Sequence, residues 1–268
     1  MCLLAIQYHV IPEVPILLAA NREEFYDRPS RPPAIQSGKP RVLCGKDLQA
    51  GGTWLGINQH GVVIGACNRR KNNSVMVTRS RGVLCREMLK AHSAQAAVNI
   101  AMEELATGRY NGVNYICADF QAAFAVHGGN HYEAVPLEPG LNIIGNNDVN
   151  DLHDERVQMA KRLLTLQSLD SSVKFLAVSS RVFARSPIAP NKPSMVIREA
   201  ERGTVSSTLL ALGIKPRDSI YQFADGAPDQ VDYKDHSPQL RDILSRGLRE
   251  AQKRKLKEAQ AANSQVHA

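Results

Sequence analysis

With 268 residues, 43% of them hydrophobic and 22% charged, the chain has the composition of a globular protein able to bury a sizeable core, which excludes a disordered or low-complexity protein. Its net charge of +7 invites a nucleic-acid partner, but seven Lys/Arg against two acids fall in the single stretch from Arg241 to Lys257; the excess is a basic tail, and no nucleic-acid module is visible. The five cysteines, Cys2, Cys44, Cys67, Cys85 and Cys117, are scattered and never spaced as CxxC, which argues against a disulfide framework or a zinc site and for a reducing, cytoplasmic compartment.

The opening MCLLAIQYHV lacks a basic leader, and Glu13, Asn21 and Arg22 interrupt it before a spanning length of ~18 apolar residues accrues, so neither a signal peptide nor a transmembrane helix is expected. CLLAIQYHV and PILLAANRE read as two buried strands joined by IPEV. The proline-rich run FYDRPSRPPAIQSGKPR is expected to be a loop. AGGTWLGIN and GVVIGAC then flank NQHG, a tight turn in which Asn58 and Gly61 serve the hairpin. Four strands thus precede the first helix.

Between Ser80 and Ala106 the apolar spacing changes to three and four with a break near His92 and Ser93, predicting two helices. VNYICADF and AAFAVHGG form a further strand pair, and HYEAVPLEPGLNIIGNN supplies another strand or two. DERVQMAKRLLTLQ and VKFLAVSSRVFAR are helical, SMVIRE and VSSTLLALG are late strands, and a turn-rich stretch leads to a terminal helix at about 237–260. No repeat or linker divides the chain, so residues 1–268 are expected to form one α+β domain. The basic end of the last helix offers at most a weak peripheral membrane contact.

The chemistry begins at residue 2. Removal of Met1 would leave Cys2 with a thiol and a free α-amine, and that amine, titrating at about 7.7 to 8.0, can take the thiol proton and return it to a leaving group. Such a nucleophile needs an acceptor for its amine and donors for an oxyanion. Polar residues at the ends of apolar strands are the candidates: Asn21, Arg22 and Glu23 after LLAA, Asn68 after GAC, and Asn146 after IIG. Trp54, the one tryptophan, reads as core or as the wall of a substrate pocket, the other cysteines as packing residues, and the histidines show no ligand spacing such as HExxH, so no metal site is expected.

MCLLAI with ANREEFYDRP, AGGTWLGINQHGVV and ACN resembles the NRDE family, also called the transport and Golgi organisation protein 2 family, with GTVSST and YQFADG extending the likeness to Tyr233 and beyond. That family is in turn similar to the choloylglycine hydrolase and penicillin V acylase branch of the N-terminal nucleophile hydrolases. The resemblance implies a four-layer αββα sandwich and a nucleophilic Cys2, with Asn21 and Glu23 matching an Arg-Asn-x-Asp motif, Glu23 accepting from the amine. It puts Asn68 at the oxyanion-hole Asn and Asn146 at a second site Asn. The motif's Arg falls on Ala20, with Arg22 two positions later, and Val205 stands where many members have Arg. The implied function is hydrolysis or transfer of an amide- or ester-linked acyl group from a small molecule, with no cofactor required. The alternative it implies is a non-catalytic protein that binds haem, lipid or acyl-CoA on the same fold.

Overall fold

Every residue of strand β1 (Cys2–Tyr8) after the first is buried, a pattern that arises when both faces of a sheet are covered. The computed structural model, which describes residues 2–71, 79–187 and 192–266 with the side chains of 259 and 261–266 excepted, shows how. β1 pairs antiparallel with β2 (Ile16–Phe25) and β10 (Gly140–Ile144), and β2 with the long β11 (Arg202–Leu212). With β12 (Ile220–Ala224) and the short β13 (Lys234–Asp235) they make a six-stranded sheet in the order β10-β1-β2-β11-β12-β13.

A second, seven-stranded sheet follows chain order from β3 (Ser30–Gln36) through β4 (Val42–Asp47), β5 (Leu55–Asn58), β6 (Val63–Asn68), β7 (Val113–Ala118) and β8 (Ala123–Gly128) to β9 (Tyr132–Pro136). Helices α1 (Arg81–Met88) and α2 (Ala94–Leu105), N-capped by Ser80 and Ser93, interrupt it between β6 and β7. Helices α3 (Glu155–Leu164) and α4 (Ser172–Phe183), capped by Asp154 and Ser171, lie between β10 and β11.

Three apolar clusters stack these pieces. Leu4, Ile6, Leu18, Ile57, Val63 and Leu210 fill the space between the sheets. Leu84, Met88 and Ala101 cover the outer face of the seven-stranded sheet, and Val157, Leu164, Phe175 and Phe183 cover that of the six-stranded one. The result is a four-layer αββα sandwich. Helix α5 (Ser237–Val266) closes one end, with Leu240, Ile243 and Leu244 in the central cluster, and its chain beyond runs as the basic helical tail.

Three expectations change. The proline-rich loop contains β3, which tolerates Pro32 and Pro33 because it is an edge strand whose register shifts between Arg31 and Ala34. With β4, in the stretch after it that carried no assignment, six strands precede the first helix. SMVIRE is no strand beyond the bridge from Arg198 to Gly203, because its backbone is engaged elsewhere: the N–H groups of Met195 and Val196 bond the Arg185 carbonyl. The turn-rich stretch before α5 hides β12, a buried pairing partner of β11.

Candidate active site

Residues directly opposite in an antiparallel pair share a face, and their neighbours take the other. Cys2 lies opposite Arg22, and Arg22 opposite Ser206, whereas Leu3 lies opposite Asn21. The Cys2 and Arg22 side chains therefore point between the sheets, where both line an open cleft of about 360 Å³. Asn21 points to the helical layer.

Cys2 is half-buried. Across the sandwich its sulfur meets the thiol of Cys67 near the end of β6, which hydrogen-bonds it; that bond, with the Glu23 backbone N–H and the positive field of Arg22, outweighs burial and holds the Cys2 thiol down at about 5. The Cys67 thiol is correspondingly raised by its bond to Cys2 and by burial. Cys44, Cys85 and Cys117 behave as expected of packing residues: all three are buried in the outer cluster against α1 and α2.

Arg22 is buried, and its guanidinium lies 4.2 Å from the centre of the Trp54 ring, a cation–π contact. It also donates to Ser30 Oγ at 3.3 Å. Trp54 forms the cleft wall, seated on Gly45, where a Cβ would come within 2.4 Å of the ring. Beside the sulfur a narrow apolar notch, bounded by Leu4, Ala20, Leu55, Ala66 and Cys67, has room for about 10 Å³, close to one water-sized molecule. The rest of the cleft is polar, with Arg28, Arg79, Arg81 and Arg202 on its walls alongside Glu24 and Asp47.

Glu23, one residue beyond Arg22, points the other way, and Arg156 of α3 grips both its carboxylate oxygens at 2.5 and 3.2 Å. Burial pushes its carboxyl up to about 7 against the opposing pull of Arg156. Arg156 also donates to the carbonyls of Ser194 and Met195, which ties α3 to the chain ahead of β11.

The remaining sequence candidates divide. Asn68 ends β6 and lines the cleft. Asn146 stands behind it, donating to the Asn68 carbonyl at 2.7 Å, so it braces the strand end. Asn21 is buried and donates to the carbonyls of Phe183 and Met195, both at 2.9 Å; its side chain stitches β2 to the end of α4 on the far side of the sheet from the Cys2 sulfur. The status of Met1 lies outside the described residues. Among those residues no group of three or more His, Cys, Asp and Glu could hold a metal ion, and no helix is long and apolar enough to cross a membrane.

Sequence reasoning missed Cys67 and Arg156. Cys67 carries a usable signal, since it lies two residues beyond Gly65 on the face that packs onto β1. Arg156 carries none, being one of several charged residues on an amphipathic helix.

The model of the family described as Transport and Golgi organisation 2 matches residues 1–209. The chain is 34% identical over 140 residues to the Bos taurus Transport and Golgi organization protein 2 homolog and 33% identical over 141 residues to that of Homo sapiens, covering 49% of this chain and 50% of the relative in each case. These alignments thus span about half the length of the curated relatives. Among solved structures, a Caenorhabditis elegans N-acylethanolamine-hydrolyzing acid amidase ortholog superposes with a TM-score of 0.53 at 14% identity, over 79% of this chain and 92% of that one. At such identity the likeness speaks for the fold alone: the αββα sandwich of N-terminal nucleophile hydrolases.

Proposed function

Because the chain belongs to the Transport and Golgi organisation 2 family and folds as an N-terminal nucleophile hydrolase, we propose that it cleaves or transfers an amide- or ester-linked acyl group with Cys2 as nucleophile. The observation that carries this reading is the Cys2 sulfur itself: partly open to a polar cleft and biased toward thiolate at neutral pH.

In this reading the thiolate attacks the acyl carbonyl and the Asn68 side chain, on the cleft wall, donates to the oxyanion. The amine freed by Met1 removal protonates the departing amine or alkoxide. Glu23, with its proton affinity set near neutrality, holds that amine through lone pairs that Arg156 leaves free. Asn146 and Asn21 are positioning residues, one bracing the end of β6 and the other the end of β2. Arg22 and Trp54 form the wall against which substrate lies. The nematode protein's name is that of an amidase, which makes amides the first class to test.

The test is intact-mass measurement followed by an acylating probe such as a β-lactone. The purified protein should lack Met1 and gain one acyl group on Cys2, and Cys2→Ala should gain none. Retained Met1, or a wild type that never acylates, overturns the reading; a cleft that then retains haem or an acyl compound without turnover would mark a binding protein.

A further inference from the structure

A nucleophile that faces a second thiol has a chemistry beyond acyl transfer. β1 and β6 belong to opposite sheets, yet Gly65 brings them together so closely that a Cβ on it would lie 2.7 Å from Leu4 Cδ1. Two residues along each strand from that contact stand Cys2 and Cys67. Both pack in the central cluster and line the notch and the cleft, and the Cys67 thiol is the neighbour that most lowers the proton affinity of Cys2. The other three cysteines sit behind the seven-stranded sheet, in the layer against α1 and α2.

We propose that Cys2 and Cys67 are a peroxide-reactive dithiol, with Cys2 as the attacking sulfur and Cys67 as the resolving one, closing a cross-sheet disulfide that reversibly masks the nucleophile. The oxidant is hydrogen peroxide, which the cleft admits. In the first step the Cys2 thiolate displaces one oxygen of peroxide: the S–O bond forms, the O–O bond breaks, and the departing hydroxide takes a proton to leave as water, giving Cys2 sulfenic acid. In the second, the Cys67 sulfur attacks the Cys2 sulfur and the sulfenic oxygen leaves as water with the proton of the Cys67 thiol. The sum is two thiols and one peroxide converted to a disulfide and two waters, the two electrons coming from sulfur.

Physical features of the pair support each step. Peroxide reacts with thiolate, and the low proton affinity of Cys2 supplies it at neutral pH. Cys67 is nearly inaccessible from outside at 3% exposure, so it is shielded from peroxide itself yet lines the same notch as the sulfur it must attack. Closing to an S–S bond of ~2.05 Å asks for an approach of two strand ends that open onto the cleft. None of this needs the α-amine of Cys2, so it does not depend on Met1 removal.

The full-length reduced protein, freed of reductant, is treated with one equivalent of hydrogen peroxide, denatured in N-ethylmaleimide, and read by intact mass and non-reducing peptide mapping. Of the five free cysteines, three should be alkylated, the mass less those three adducts should lie two hydrogens below that of the reduced protein, and the peptides of Cys2 and Cys67 should migrate as one until a dithiol is added. Cys67→Ser should instead leave a sulfenic acid on Cys2 that dimedone traps. Five alkylated thiols, a linkage between other cysteines or chains, or sulfinic acid on wild-type Cys2 without a cross-link overturns the proposal. Acylation by the β-lactone is read on separate, unoxidised samples, so either idea can fail while the other stands.

Discussion

Removing the Cys67 thiol takes away the strongest influence that holds Cys2 near its low proton affinity. Wild-type Cys2 should therefore alkylate with a midpoint near pH 5, and in Cys67→Ala the midpoint should move toward the ordinary thiol value of about 8.5; an iodoacetamide rate profile from pH 4 to 9 reads both, and an unmoved midpoint contradicts the hydrogen-bond account. Asn21 makes the opposite case, a residue whose importance is mechanical. Asn21→Ala leaves the buried Phe183 carbonyl without its donor, while the Met195 carbonyl keeps Arg156, and at about 1–3 kcal/mol per orphaned group thermal unfolding should show a loss of that size while the alkylation midpoint of Cys2 stays in place. The two residues also mark what could be read from sequence. The motif ANRE names the correct strand end, and alternation sets Asn21 and Arg22 on opposite faces, but which of the two looks into the cleft is not legible until the partner register is known. Arg156 was illegible for a related reason: its partner Glu23 is 133 positions away, and nothing local distinguishes an arginine that will be buried.

At the level of elements, the strands that lie between covered faces announced themselves, because burial on both sides forces continuous apolar runs such as those of β1 and β7. The strands that were missed lie where the composition speaks against a strand or goes unread: β3 carries prolines, β4 follows directly on that run, and β12 sits among turn residues. Each pairs with strands close by in the chain, so composition rather than range hid them. Helix α5 was legible in its apolar spacing, but its docking rests on a glycine that spacing does not flag. A Cβ on Gly247 would fall 1.8 Å from the Gln59 carbonyl oxygen, a backbone atom that cannot swing aside. Replacing helical Gly by Ala ordinarily stabilises by about 1 kcal/mol, whereas overpacking of this kind costs about 1–3 kcal/mol. The clash should win: Gly247→Ala should lower the melting temperature and expose the junction of α5 with the β5–β6 turn to proteolysis. A variant as stable as wild type would mean that α5 rides on that turn more loosely than the geometry shows.

For the whole molecule, the site leaves its mark on stability through two protons that pull in opposite directions. Cys2 is deprotonated in the folded state above about pH 5, while an unfolded thiol keeps its proton to about 8.5. Across that window the unfolded chain binds more protons, so the Cys2 contribution to stability rises with pH, by about 1.4 kcal/mol per unit, and is lost as pH falls toward 5. Burial raises Glu23 to about 7 in the folded protein, against about 4.3 when unfolded. Its contribution is complete below pH 4.3 and disappears as pH rises through 7. The two slopes cancel between roughly pH 5 and 7, and above 7 only the thiol term remains. Denaturant unfolding of wild type, Cys2→Ser and Glu23→Gln at half-unit pH steps separates them by difference. Wild type minus Cys2→Ser should climb from pH 5 to 8.5, somewhat blunted below 7 because losing the thiolate also relieves the charge that helps raise Glu23. Wild type minus Glu23→Gln should fall from about pH 4.5 to 7. Flat difference curves would mean that the two groups titrate as they do in an unfolded chain, and the sandwich would then be holding Cys2 as an ordinary thiol.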